Sequence, residues 1–147
     1  FWVFHPNIDN LNFWFEYLSD DFWISIRENG TRGISLEWKI ENGTGGNIPS
    51  ISPSLLNWVM ITLTLEVISS SSLNIAIYTN TQEVLNFTED RVIFVPDNVG
   101  ELRIGKTGRS ADFTLDNYYV WASKLTQSDI TNLYNSGNGR DYAWVSS

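Results

Sequence analysis

A period of two dominates four stretches of this chain. Ile34, Leu36, Trp38 and Ile40 alternate with Ser35, Glu37, Lys39 and Glu41, and Phe22, Ile24 and Ile26 alternate with Trp23, Ser25 and Arg27. Ile61, Leu63 and Leu65 alternate with Thr62, Thr64 and Glu66, and Leu73, Ile75 and Ile77 with Asn74, Ala76 and Tyr78. A period of two sends successive side chains to opposite faces of a strand, so each run predicts a β-strand with one face turned to a core. A slip of one residue would turn every apolar set to water, which specifies the register tightly. The expected core comprises Leu36, Trp38, Ile61, Leu63, Ile75, Ile77, Leu115 and Val120.

Turn chemistry separates these runs. Asn29-Gly30, Asn42-Gly43 and Gly45-Gly46 tolerate positive φ, and Ser69 to Ser72 reads as a hairpin link. The stretch from Asn47 to Pro53 holds Pro49 and shows no periodicity, so it reads as a surface crossing. One helix is expected, from Gln127 to about Asn135. Thr126 suits its N-cap, Asp129 its first turn, and Gly137 or Gly139 its stop, while Ile130, Leu133 and Tyr134 share one face. Roughly ten strands and one helix predict an all-β fold, a two-sheet antiparallel β-sandwich with a short C-terminal helix.

A length of 147 residues suits one domain. Aromatic residues make up 14% of it, seven of them Trp, which fits a sandwich lined by large flat side chains. The net charge of −8 repels phosphate backbones and anionic lipid, so neither nucleic acid nor membrane insertion is expected. The absence of cysteine excludes disulfides, Cys-ligated zinc and a Cys nucleophile. No run of eighteen apolar residues is present to make a membrane-spanning helix. The opening Phe1-Trp-Val-Phe reads as the middle of a strand, so the chain is expected to be a fragment of a longer polypeptide, residues 1–147 forming one domain that lacks its first strand or strands.

The order of the segments adds a resemblance. Leu102-Arg-Ile-Gly105, then Phe113 to Trp121, then Leu125 to Tyr134 read as a strand, a second strand ending in aromatics, and a capped helix. Upstream, Asn57-Trp-Val-Met-Ile-Thr62 and Leu73-Asn-Ile-Ala-Ile-Tyr-Thr-Asn80 read as two more strands, with Thr81 where a glycine would be usual. This ordered set resembles the laminin-G-like (pentraxin-like) jelly rolls of the concanavalin A-like lectin and glucanase superfamily. The exit from Leu133 to Tyr142 is similar to that of such domains in phage and other viral structural proteins. The resemblance places Trp58 and Trp121 at core positions. It also brings with it a candidate calcium ion, with Asp116 as a ligand, and Asp112 is a neighbouring loop oxygen donor. The alternative role for Asp116 is to accept from backbone amides in an adjoining loop.

Catalysis finds little support in the residues. The nearest approach to a carboxylate pair on one strand is Glu37-Trp-Lys-Ile-Glu41, where Lys39 between the two acids would depress both pKa values and spoil a general acid. His5 is the sole histidine and has no Ser or Asp at a suggestive spacing. Sugar binding needs an aromatic platform with a few fixed polar groups. Trp23 is the first candidate because it lies opposite the apolar face of its strand, followed by Tyr78, Tyr119 and Trp144. Asn29, Asn42 and Asn86 head sequons, a number that so Asn-, Ser- and Thr-rich a chain reaches by chance.

The expected function is a non-catalytic recognition module, on a virion surface or in an extracellular assembly, that binds carbohydrate or another surface polymer. The competing expectation is a structural or decoration domain working through contacts with other protein subunits. A glycoside hydrolase comes third.

Overall fold

In the computed structural model of the chain, the described residues are 2–4, 13–18, 22–28, 34–40, 45–51, 57–90, 101–104, 114–121 and 123–139. They form ten strands and a helix: β1 Trp2–Phe4, β2 Phe13–Leu18, β3 Phe22–Glu28, β4 Ile34–Ile40, β5 Gly45–Ile51, β6 Val59–Ser69, β7 Ser72–Thr79, β8 Gln82–Glu89, β9 Glu101–Ile104, β10 Thr114–Asp116 and α1 Gln127–Tyr134. The strands make two five-stranded sheets of order β10-β1-β6-β7-β8 and β5-β4-β3-β2-β9, every pairing antiparallel. The all-β two-sheet sandwich expected from the alternation is the observed architecture.

The alternation also sets which face meets which. Ile24, Ile26, Leu36 and Trp38 of the second sheet pack against Val59, Ile61, Leu73, Ile75 and Ile77 of the first, with Phe15, Leu63, Leu85 and Phe87 at the margins. Full burial of each aliphatic side chain contributes roughly 1.5–3 kcal/mol. The even-numbered residues of β6 and β7 face the other way, and there a second apolar cluster forms. Trp2, Met60, Ala76 and Tyr78 are covered by Leu125 and by Ile130 and Leu133 of the helix. The first sheet is thus buried on both faces, which explains why β7 is buried along most of its length.

One polar contact runs through the inter-sheet core. The Trp38 indole Nε1 donates to Glu89 Oε2 at 3.0 Å, and both residues are buried. The Phe87 ring lies 4.6 Å from the indole, and Gly46 is paired opposite Trp38 on β5. A Cβ on Gly46 would stand 2.3 Å from Trp38 Cζ2, so the ring occupies the space that a side chain there would need.

Several expectations are corrected. Gly45-Gly46 is not a turn but the start of β5, and residues 47–51 continue that strand rather than crossing the surface. The glycine is required by the overlying indole, and Pro49 is tolerated because β5 is an edge strand. Val120 is 65% exposed, because β10 ends at Asp116 and Asn117 (φ 49°) turns the chain out of the sheet. Trp58 is also exposed rather than in the core, and Trp121 is half-buried at the edge of the outer cluster. Leu36, Trp38, Ile61, Ile75 and Ile77 are buried as expected and Leu63 half-buried. The Leu115 side chain, Asn29-Gly30 and Asn42-Gly43 lie outside the described residues.

Hairpin and cap chemistry closes the elements. Ser69 pairs with Ser72 across a two-residue turn, and Thr79 with Gln82 across Asn80-Thr81, where Asn80 takes φ 57°. The helix starts on a capping box. Thr126 Oγ1 accepts from Asp129 N at 3.2 Å, and Asp129 Oδ2 accepts from Thr126 N at 2.8 Å. The Thr126 hydroxyl also donates to Asp129 Oδ2 at 2.6 Å, and this bond, followed by the one from Thr126 N, holds the Asp129 carboxyl below its ordinary pKa. The stop comes at Asn135 (φ 46°), ahead of the two glycines. Thr126→Ala is expected to cost about 1 kcal/mol, read as a lower midpoint in urea, whereas Thr126→Ser should leave it within a few tenths.

Candidate functional site

The sequence candidates separate in space. Trp23 lies on the outer face of the second sheet, half-buried, and its Nε1 donates to Glu16 Oε1 at 2.7 Å. Glu16 is itself buried, with the Arg103 guanidinium 3.8 Å from its second oxygen. Arg103, Glu16, Ser25, Glu37 and Asn47 stand in register across this face. Ser25 and Ser35 are buried there with no hydrogen-bond partner on either hydroxyl. Glu37 is half-buried in this row.

Tyr78 lies on the opposite side of the molecule, buried among the residues that the helix covers. Its hydroxyl donates to Glu83 Oε2 at 2.9 Å, and burial, followed by the Glu83 contact, raises its pKa. Asp116 is exposed, and its Oδ1 accepts from Asn117 N at 2.8 Å, the backbone role named above as its alternative. Among the described residues no group of three or more His, Asp or Glu side chains gathers to hold a metal, so they do not by themselves make a calcium site. Trp144, Asp112, His5 and Glu41 lie outside the described residues. Asn86 is exposed on β8.

Tyr119 leads to a different place. It forms one wall of a cleft of about 380 Å³ that runs between β6 and the segment 117–125. On the β6 side stand Ile61, Thr62, Leu63, Thr64 and Leu65; on the other stand Asn117, Tyr118, Tyr119, Val120 and Trp121, with Ser123 to Leu125 beyond. The geometry follows from the turn at Asn117. β10 occupies only three residues beside β1, and the chain after it continues outside the sheet.

Within the cleft, the Tyr119 hydroxyl donates to Asn117 Oδ1 at 3.3 Å, and its ring meets that of Trp121 at 5.6 Å and 52°. Burial pushes the Tyr118 hydroxyl up to about 12, so it stays protonated in all ordinary buffers. Lys124 Nζ contacts Glu66 Oε2 at 2.6 Å and ties the far end of the segment to β6. Two residues of the cleft lining, Trp121 and Thr64, each carry a buried polar atom, Nε1 and Oγ1, with no hydrogen-bond partner among the described residues. Leaving such a group buried and unpaired costs about 1–3 kcal/mol. Anything that enters the cleft and pairs with them recovers part of that cost.

Of the site candidates named from the sequence, Tyr119 alone lies in this cleft among the described residues. Tyr118, Asn117 and Thr64 were not named, and Trp121 was assigned to the core. The available signal was the cluster Tyr118-Tyr119-Val120-Trp121 directly after an asparagine, a residue that takes φ > 0 readily and so ends strands.

No protein-family model matches the chain, and a search of curated proteins finds no match either.

Proposed function

We propose that this domain is a non-catalytic recognition module that binds a glycan or another surface polymer, on a virion surface or in an extracellular assembly, and that it does so in the cleft between β6 and residues 117–125. One observation carries the reading: Trp121 and Thr64, two residues that line that cleft, keep Nε1 and Oγ1 buried with no hydrogen-bond partner among the described residues. A ligand with apolar faces for the rings and a few polar atoms for these two groups suits such a site. The net charge of −8 selects against anionic polymers and leaves uncharged or basic ones. The absence of catalysis rests on Lys39, which stands between the two glutamates of the nearest carboxylate pair.

The structural reading, a decoration domain acting through protein contacts, is favoured by the exposed apolar side chains Leu65, Val67 and Ile68 at the far end of β6. They continue the same edge on which the cleft lies.

The test is a screen of the domain on glycan and peptide arrays, with and without calcium, followed by titration of Thr64→Val and Trp121→Phe. Thr64→Val keeps the shape of the wall and deletes only a hydroxyl, whereas Trp121→Phe removes the N–H together with the five-membered ring. About tenfold weaker binding is expected for each, the equivalent of about 1.4 kcal/mol, with no fall in the thermal midpoint of Thr64→Val. Retention by neither array, or binding indifferent to both changes, would sink the cleft as the binding site.

A further inference from the structure

We infer that Asn86 is an N-glycosylation site: its side-chain amide takes an oligosaccharide from a lipid-linked donor, and the folded domain carries that sugar on the outer face of β8. The inference rests on the extracellular part of the reading above, because such donors act in a secretory compartment. It does not depend on the cleft.

The sequence supplies the acceptor. Asn86-Phe87-Thr88 is an Asn-x-Thr sequon without proline. A chain this rich in Asn, Ser and Thr reaches such triplets by chance, so placement decides. β8 is extended, and a period of two sends Asn86 and Thr88 to one face and Phe87 to the other. Asn86 and Thr88 are both exposed. Phe87 packs against the inter-sheet core, its ring 4.6 Å from that of Trp38. The anchored ring in the middle of the triplet therefore holds its two recognition residues outward.

The surroundings leave room for a sugar. β8 is the end strand of the first sheet, at the side away from β10. The helix covers Trp2, Met60, Ala76 and Tyr78, none of which lies on β8. Directly opposite Asn86 on β7 stands Ala76, whose side chain ends at a methyl group. The polar neighbours are Glu83, Asn74 and Thr88, groups that hydrogen-bond to sugar hydroxyls as readily as to water.

The amide itself is prepared for substitution. Asn86 Nδ2 donates to Glu83 Oε2 at 3.1 Å, and Asn86 Oδ1 accepts from Asn74 Nδ2 at 2.8 Å. The direction of this chain is fixed by groups that only accept: the Glu83 carboxylate at one end, and at the other the Phe87 carbonyl, which accepts from Asn74 Nδ2 at 3.2 Å. An amide nitrogen carries two hydrogens, and Glu83 engages one of them. In the transfer, Nδ2 forms a bond to the anomeric carbon of the first sugar. The bond from that carbon to the lipid pyrophosphate oxygen breaks, the pyrophosphate leaves with the electron pair, and one Nδ2 proton is released. The product keeps one N–H and the carbonyl oxygen, so both hydrogen bonds of Asn86 survive attachment and hold the root of the glycan in place.

Site-resolved mass spectrometry tests this on the chain isolated from its natural source and on the 147-residue chain secreted from eukaryotic cells. A glycan-releasing amidase marks the site, because it leaves an aspartate where a glycosylated asparagine stood. The peptide that holds Asn86 is expected to carry a glycan in both samples. In the secreted chain, Asn86→Gln and Thr88→Ala should lose it completely and Thr88→Ser should retain it. The secreted glycosylated chain and the unmodified chain made in bacteria should unfold at the same urea midpoint. A bare Asn86 in the natural chain overturns the inference, whatever the secreted chain shows. A glycosylated chain with a lower midpoint overturns it too, since the folded face would then not accommodate the sugar. The array screen of the cleft uses the unmodified chain, so the two proposals fail separately.

Discussion

Trp38→Ala is expected to lower the stability of the domain by about 3–5 kcal/mol, the range for a large aromatic removed from a packed core. The indole does three things at once. It fills the space above Gly46, it packs on Phe87, and its N–H satisfies the buried Glu89 carboxylate. Truncation leaves a cavity, loses an aromatic contact worth about 0.5–1.5 kcal/mol, and takes one hydrogen bond from a carboxylate that remains buried. Trp38→Phe separates these effects. It keeps a six-membered ring but removes the N–H and the volume of the five-membered ring, so the cost is about 1–3 kcal/mol for the hydrogen bond plus a smaller cavity cost. Urea denaturation gives both values, with an unchanged slope as the sign that the denatured state is unaffected. A loss below about 1 kcal/mol for Trp38→Ala would place the centre of the inter-sheet core elsewhere.

Ile130→Ala is the second large effect, about 2–5 kcal/mol. Ile130 is fully buried on the outer face of the first sheet, where it holds α1 over Met60, Ala76 and Tyr78. An eight-residue helix is too short to persist alone in water, so it depends on this contact. The Trp2 and Tyr134 rings stack beside it at 5.6 Å and 15°, and they define the rest of the helix's footing. Trp38 and Ile130 belong to clusters on opposite faces of the first sheet, so the double variant should add to within about 0.5 kcal/mol. A tryptophan emission spectrum unchanged in Ile130→Ala, together with a small stability loss, would mean that the helix is not held by this residue.

Much of this fold is legible in the sequence because it depends on local rules. Strands β3, β4, β6 and β7 follow from the period of two, and α1 follows from Thr126 and Asp129 in a capping box. β5 was hidden because its two glycines and Pro49 imitate a turn. What demands Gly46 is an indole from a different strand, and no local rule reports that contact. The candidate site was less legible still. The outward direction of Trp23 and Tyr78 could be read from parity, but not what lies above them: a carboxylate partner on β2 for one, the helix for the other. The cleft arises because β1 and β10 are short and the chain turns out at Asn117, and strand lengths are the weakest part of any reading from sequence. The rings of Tyr118 and Trp121 acquire their setting only through that turn.

The topology of the first sheet has a kinetic side. β6, β7 and β8 form a meander joined by two-residue turns, so their pairing closes short loops and forms fast. The same sheet then recruits β1 and β10, which pair residues 2–4 with residues 114–116, nearly the full described span apart. Closing so long a loop carries the larger entropic cost, and only three residue pairs repay it. The meander is thus the natural nucleus, and the edge built from β1 and β10 is the last to assemble and the first to open. The cleft lies at that seam, so a ligand that bound there would also complete the part of the domain that folds last.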